Sequence, residues 1–398
     1  MKINVAVFFG CVSVEHEVSV ISGVQAMSNM SKEKYNVIPV YVTKNGEMYT
    51  GDLLLEIENF KDIPALISHC TPVTLFRKND RVIMQSLNGI FKRKEIEIDL
   101  AFPVVHGTNC EDGTLAGMFE FLGLPYIGCN VISSALGMDK AVCKSVLKEA
   151  GVPVLDCITL YNRDYSLNRE KYEKEIIDKI GLPSIIKPVN LGSSVGISKV
   201  KSADELRSSL ELAFSFTDRI LAEHAIENLK EVNCSVLGDR DNCEASTPEA
   251  PVSHDEILSY EEKYIGGGKG AKSGASKGMA SLSRIIPADI ADEETAAIKE
   301  MAVKAFRALD CSGVVRIDFM IDRDTNKIYL NEFNTIPGSL AFYLWEAGGL
   351  KYSDMIDKLV EVAYRRKRAK DDLMFTIDTN ILSGVKSFGA KGAKGGKM

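Results

Sequence analysis

In "VVRIDFMIDRDTNKIYLNEFNTIPGS", residues 314 to 339, charged and amide side chains interrupt two apolar runs. Side chains alternate faces along a strand, so Arg316 and Asp318 share one face while Ile317 and Phe319 take the other. In the returning run Leu330, Glu332 and Asn334 share a face, and a turn through Asp322 to Asn326 lays the two polar sets opposite each other. Carboxylate and amide oxygens are the hard donors that Mg²⁺ or Mn²⁺ accepts while keeping phosphate oxygens in its remaining positions. Asp318, Glu332 and Asn334 are therefore candidate metal ligands, with Glu332 able to bridge two ions. Arg316 beside them could hold negative charge that develops on a transferring phosphoryl group or an oxyanion. The same alternation also describes an edge hairpin with one solvated face.

A second stretch adds weight to the first. "IIKPVNLGSSVGISKV" is an apolar strand ending in Lys187, a turn with Gly192, Ser193, Ser194 and Gly196, and another strand. Small residues between strands let backbone N–H groups and hydroxyls close over phosphate oxygens, with a lysine supplying charge. Neither G-x-x-x-x-G-K-[ST] nor G-x-G-x-x-G occurs, which disfavours the nucleotide folds built on those loops.

These residues need elements to position them. Residues 3 to 132 alternate short apolar runs ("INVAVFF", "IDLAFPVV", "LPYIG") with amphipathic segments ("EHEVSVISGVQAM", "TLAGMFEFLG"). That order predicts strand–helix–strand units and a parallel sheet. Ligands of such sheets bind at the carboxyl ends of strands, here Gly10 to Glu17 and His106 to Asp112. A second unit begins with the helix "MDKAVCKSVLKEAG", closed by Gly151. The boundaries expected are 1–137, 138–226 and 227–372, with a Gly- and Lys-rich tail at 373–398 that has little to bury. Residues 264–283, "YIGGGKGAKSGASKGMASLS", are too glycine-rich for a strand or helix and too long for a turn, as expected of a loop that closes over a site. The "RRKRAK" run at 365–370 reads as a solvated helix end, where cations are favoured.

Composition narrows the class. With 398 residues, 45% hydrophobic and 26% charged, the chain is long enough for two or three domains. A net charge of -7 argues against a dedicated nucleic-acid binder. Nine scattered cysteines without a C-x-x-C pair predict a reducing compartment, and the N-terminus lacks a cleavage site or an apolar run of spanning length. A cytoplasmic protein with no membrane partner is the expectation.

Five stretches in order, "FFGCVSVEHEVSVISG", "HGTNCEDGTLAG", "KPVNLGSSVGISKV", "YEEKY" and the opening hairpin, make the sequence resemble the D-alanine:D-alanine ligases of the ATP-grasp superfamily over residues 3 to about 372. The resemblance implies an α/β N-terminal Rossmann-like domain followed by a two-subdomain α+β ATP-grasp fold, ATP and two Mg²⁺ or Mn²⁺ ions, two molecules of D-alanine as substrates, and a homodimer. It places Glu15 at the ammonium of the first D-alanine and His106 near the substrate carboxylate. Ser193 and Tyr264 would form a hydrogen-bonded set with Glu15, and Lys263 would adjoin them on the loop. Lys140 and Lys187 would meet the ATP phosphates beneath Ser194, Glu223 the adenine amino group and Glu231 the ribose, while Met320 would pack on the adenine. Arg316 and the backbone near Gly338 would stabilise the oxyanion. Two departures stand out: Cys11 replaces a second glycine, altering the turn beside it, and Tyr343 occupies the position of a serine that holds the second substrate's carboxylate. A ligase that joins D-alanine to D-serine or D-lactate is the near rival, and a nucleotide-binding protein without ligase activity the distant one. Lys263–Tyr264 resembles the dipeptide-forming type.

Overall fold

The computed structural model describes residues 2–89, 93–192, 195–252, 284–377 and 379–384. Ser193, Ser194, Lys263, Tyr264, the 264–283 loop and the far end of the tail lie outside the described residues. A seven-stranded sheet opens the chain, built from Ile3–Gly10 (β1), Tyr35–Val42 (β2), Met48–Thr50 (β3), Thr71–Lys78 (β4), Arg81–Ser86 (β5), Glu95–Ile98 (β6) and Leu100–Pro103 (β7) in the order β6-β5-β4-β3-β2-β1-β7. The expected parallel arrangement holds for β2, β1 and β7, and helix His16–Asn29 follows β1. The remaining strands extend that core as an antiparallel meander. Its β4–β5 turn, Asn79–Asp80, has both residues at positive φ, a hairpin signal that apolar runs alone do not display.

Cys157–Tyr161 (β8), Ser184–Pro188 (β9), Ser198–Val200 (β10) and Arg219–His224 (β11) form a second sheet around an apolar interior of its own, including Leu160, Tyr165, Ile186 and Ile220. Leu229–Gly238 (β12), Cys243–Ala245 (β13), Gly313–Asp322 (β14) and Lys327–Asn334 (β15) form the third, in the order β13-β12-β14-β15. Helix Lys140–Glu149 opens the expected central unit, yet its Cys143 and Leu147 pack with Val232, Ile317 and Phe306 of the third sheet's core. Its start differs from the reading above, because Met138 closes the preceding helix and the Asp139 carboxylate caps the new one, accepting from the Ala141 and Val142 amides at 3.1 and 3.0 Å. Among the described residues no helix is long and apolar enough to cross a membrane.

The first and third units share one apolar core. Met355, Ile356 and Leu359 of helix Tyr352–Asp371 are buried with Val5, Phe8 and Phe102 of the first sheet. Gly313, at φ +86, lies so close to Gly128 that a Cβ there would come within 2.7 Å of the Gly128 Cα. The "RRKRAK" run is not simply solvated: Arg366 donates to the Gly128 and Tyr126 carbonyls at 2.5 and 2.7 Å and stacks on the Tyr126 ring.

Candidate active site

A small polar cavity of about 90 Å³ lies where the carboxyl ends of β1 and β7 meet the β14–β15 hairpin. Eight of the expected site residues line it: Glu15, His106, Lys140, Arg316, Asp318, Glu332, Asn334 and Gly338. Lys187, Glu223, Glu231, Met320 and Tyr343 do not line it.

The hairpin turns between Asp322 and Lys327 as its polar residues require. Arg316 stands opposite Asn334 and Asp318 opposite Glu332, but Phe319 pairs with Leu330, so the register shifts and Asn331 is the extra residue. Leu330 therefore does not share a face with Glu332: it is 1% exposed in the core beside Phe319, while Glu332 faces the cavity. A bulge reverses which face the following side chains take, and strict alternation cannot reveal it. Arg316 donates to both Asp318 oxygens at 2.7 and 2.9 Å, and Asn334 Nδ2 donates to Asp318 Oδ2 at 3.1 Å. Burial opposes the Arg316 charge, but the Asp318 carboxylate holds the guanidinium well above its usual range. Lys140 bridges Glu332 at 2.8 Å and the Leu191 carbonyl at 2.7 Å. Among the described residues no three His, Cys, Asp or Glu are gathered as a ready-made metal cage. Two facing carboxylates and an amide nevertheless suit an ion that draws its other ligands from phosphate and water.

Glu15 sits between two backbones. A Cβ on Gly107, at φ +84, would lie 2.9 Å from Glu15 Oε2 and 2.2 Å from Ser13 Oγ, and one on Gly192 would lie 3.2 Å from the same carboxylate. His106 is buried, and its Nδ1 is 2.8 Å from the Ile336 carbonyl, which can only accept. Nδ1 thus carries the proton of the neutral ring, and Nε2 accepts from the Ser22 hydroxyl at 2.9 Å. Burial lowers the His106 pKa, which keeps that ring neutral. Glu111, inside "HGTNCEDG" but given no role by sequence reasoning, accepts from the Ile336 amide at 2.9 Å and the Gly107 amide at 3.2 Å. Burial, with the charges of Glu15 and Glu332 adding to it, pushes Glu111 up to about 7 against those two amides. Cys11 keeps the turn it was expected to alter by adopting φ +76 itself, a conformation that glycine takes without strain.

Behind the cavity lies a sealed charge cluster. Glu223, 2% exposed, takes Lys144 on one oxygen at 2.6 Å and Lys187 on the other. Lys187 also donates to Asn331 Oδ1 at 3.1 Å, so the bulge residue serves this cluster. Burial raises the Glu223 carboxyl and the two ammonium groups outweigh it, leaving it below its ordinary value. Lys144 and Asn331 were not singled out from sequence. A helical spacing of four did put Lys144 on the Lys140 side of its helix, the available signal for it. Glu231 pairs with Met320 across β12 and β14, on the face that carries Asp318 and Arg316.

Tyr343 lies outside the lining of the small cavity. Its hydroxyl donates to Glu249 Oε1 at 3.1 Å, and Arg284, itself 2.9 Å from Glu249, stacks 3.9 Å from the Tyr343 ring centre. Burial pushes the phenol up to about 12.

Comparison with known proteins gives consistent matches. The sequence family described as D-ala D-ala ligase N-terminus matches residues 4–129, and D-ala D-ala ligase C-terminus matches residues 146–361. A D-alanine--D-alanine ligase of Thermosipho melanesiensis is 40% identical over 381 residues, covering 96% of this chain and 98% of that protein. One from Clostridium acetobutylicum is 38% identical, covering 93% and 100%. Among solved structures, the D-alanine-D-alanine ligase from Coxiella burnetii superposes with a TM-score of 0.78 at 30% identity, covering 93% of this chain and 96% of that one. A D-Ala:D-Ser ligase from Enterococcus faecalis superposes at 0.75 with 33% identity, covering 91% and 100%.

Proposed function

The chain belongs to the D-ala D-ala ligase family, and on that premise we propose that it joins two molecules of D-alanine at the expense of ATP, for the synthesis of peptidoglycan precursors. The observation that carries this reading is the convergence of Glu15 and His106 from the first unit with Lys140, Arg316, Asp318 and Glu332 on one small polar cavity. The carboxylate of the first D-alanine takes the terminal phosphoryl group of ATP, releasing ADP and becoming an acyl phosphate. The unprotonated amine of the second attacks the acyl carbon, loses a proton and expels phosphate.

Each group then has work in that sequence. Glu15, fixed between Gly107 and Gly192, anchors the ammonium of the first amino acid. Neutral His106 lies beside the substrate carboxylate without adding a charge of its own. Arg316, aimed by its two bonds to Asp318, and the backbone near Gly338 stabilise the tetrahedral oxyanion. Lys140 lies at the phosphates, opposite the hairpin carboxylates. Asp318, Glu332 and Asn334 would hold two Mg²⁺ or Mn²⁺ ions, which would neutralise phosphate charge during transfer. Ser193, Tyr264 and Lys263 belong to the proposal as partners of Glu15 and of the loop that excludes water, and Ser194 with Lys187 as phosphate contacts. Glu223 faces the adenine amino group, Met320 its ring and Glu231 the ribose. Tyr343 belongs to the proposal as a residue of the second-substrate side, its hydroxyl held by Glu249. A homodimer in the cytoplasm completes the reading.

The test is purified protein with ATP, Mg²⁺ and D-alanine, scored for phosphate and D-alanyl-D-alanine released together. No nucleotide-dependent phosphate release with D-alanine alone would overturn the reading. D-serine or D-lactate as the preferred second substrate would instead move it to the rival ligase.

A further inference from the structure

Lys144 is buried, charged and unused by the reaction as described. It lies one helical turn beyond Lys140, but whereas Lys140 reaches the cavity, Lys144 points to the sealed end, 5% exposed. Its Nζ is 2.6 Å from Glu223 Oε2 and donates to the Leu155 carbonyl at 3.3 Å. Lys187 holds the other Glu223 oxygen and is also bonded to Asn331, the bulge residue on the cavity hairpin.

The two lysines are therefore not equivalent. Lys187 stands on β9, at the strand end that precedes the Gly–Ser turn, and a phosphate would compete for its charge. Lys144 is tied to the carbonyl of a connecting segment away from that turn. Once Lys187 turns to phosphate, Lys144 is the cation left on Glu223; without it Glu223 would be an uncompensated buried anion, a state that proteins avoid by taking up a proton. A protonated carboxyl can offer its O–H as a donor at that edge and so no longer discriminates between an amino group and a carbonyl.

We infer that Lys144 is a positioning residue that keeps Glu223 an ionised acceptor while nucleotide is bound, and so selects purine bases that carry an exocyclic amino group at that edge over those that carry a carbonyl. This rests on the reading that Glu223 faces the base. An acceptor paired with a second acceptor is rejected because both groups stay buried and unsatisfied.

The test compares Lys144→Met, Lys144→Gln and Lys144→Arg with the unaltered full-length protein, using ATP and ITP, which differ at the six-position by amino against carbonyl. Lys144→Met is expected to raise the KM for ATP about 10- to 100-fold. Its KM for D-alanine should stay within about twofold, and its kcat at saturating ATP within about threefold, because the amino-acid cavity and the hairpin are untouched. The preference for ATP over ITP should fall about tenfold, and Lys144→Arg should restore most of it. Lys144→Gln gives the same readout if the methionine variant does not fold, since it fills the space and keeps a donor toward Leu155. An unchanged KM for ATP with unchanged ATP preference overturns the inference. So does a parallel loss in every kinetic constant and in thermal stability, which marks a structural role only. Glu223→Gln separates the two layers. If it raises the KM for ATP while the Lys144 variants do not, only the role of Lys144 fails; if it leaves that KM alone, the placement of Glu223 at the base fails.

Discussion

The two ends of the site hold their charges differently. At the hairpin end Glu332 is 29% and Asp318 20% exposed, each paired with a cation that a ligand could replace. At the sealed end Glu223 is 2% exposed and its lysines 5% each. Charges beside solvent can exchange partners at modest cost, whereas a buried anion stripped of its cations costs several kcal/mol. The hairpin end is thus equipped to change partners during a reaction, whereas the sealed end can release Lys187 only because Lys144 stays on Glu223.

Mutations that strike one end at a time test that contrast. Glu332→Gln is expected to lower turnover about a thousandfold while barely moving the unfolding midpoint, since Lys140 keeps its bond to the Leu191 carbonyl. Steady-state kinetics beside a urea titration would measure both, and a loss below about tenfold would break the comparison. Glu223→Gln should do the reverse in stability, costing about 3 kcal/mol of unfolding free energy by leaving two ammonium groups buried without their anion. Equal stability of the two variants would erase the distinction.

Smaller effects sharpen it. Gly107→Ala forces a Cβ to within 2.9 Å of Glu15 Oε2, and the KM for the amino acid should rise about tenfold with the fold intact. Glu111 should report itself in the pH dependence of stability. Its carboxyl moves from 4.5 to about 7 on folding, so between those values the folded chain binds more protons than the unfolded one. That contribution is full below pH 4.5 and is lost as the pH rises through 7. Thermal melts in metal-free buffer should show the unaltered protein losing stability relative to Glu111→Gln across that window, and a difference independent of pH would refute the assignment.

Much of the hairpin end was legible because its residues stand on short, strongly patterned strands, where alternation and turn position nearly determine the face. The carboxyl ends of β1 and β7 were legible for a different reason: continuous apolar runs in strand–helix–strand order mark a parallel sheet, whose ligands gather at those ends. Leu330 was misplaced because a single bulge overrides alternation, and that bulge also turned Asn331 toward Lys187, a contact between residues 144 positions apart. Glu111 stood in plain view within a motif, but its environment depends on the Ile336 amide, 225 residues away. Glu249, Arg284 and Tyr343 meet only through tertiary packing, so the tyrosine's position in a motif could not disclose what its hydroxyl touches. The antiparallel meander was missed because its strands, apart from the buried Val82, Ile83 and Met84, are largely half-exposed, so they lack the long apolar runs that mark the parallel centre.

The near-contact of Gly128 with Gly313 has a mechanical consequence. Two backbones meeting without side chains between them, bolted by Arg366 and continuous with a common apolar core, leave no seam along which the first and third units could part. The middle sheet, by contrast, has an apolar interior of its own and meets the third unit's hairpin through polar contacts such as Lys187 with Asn331.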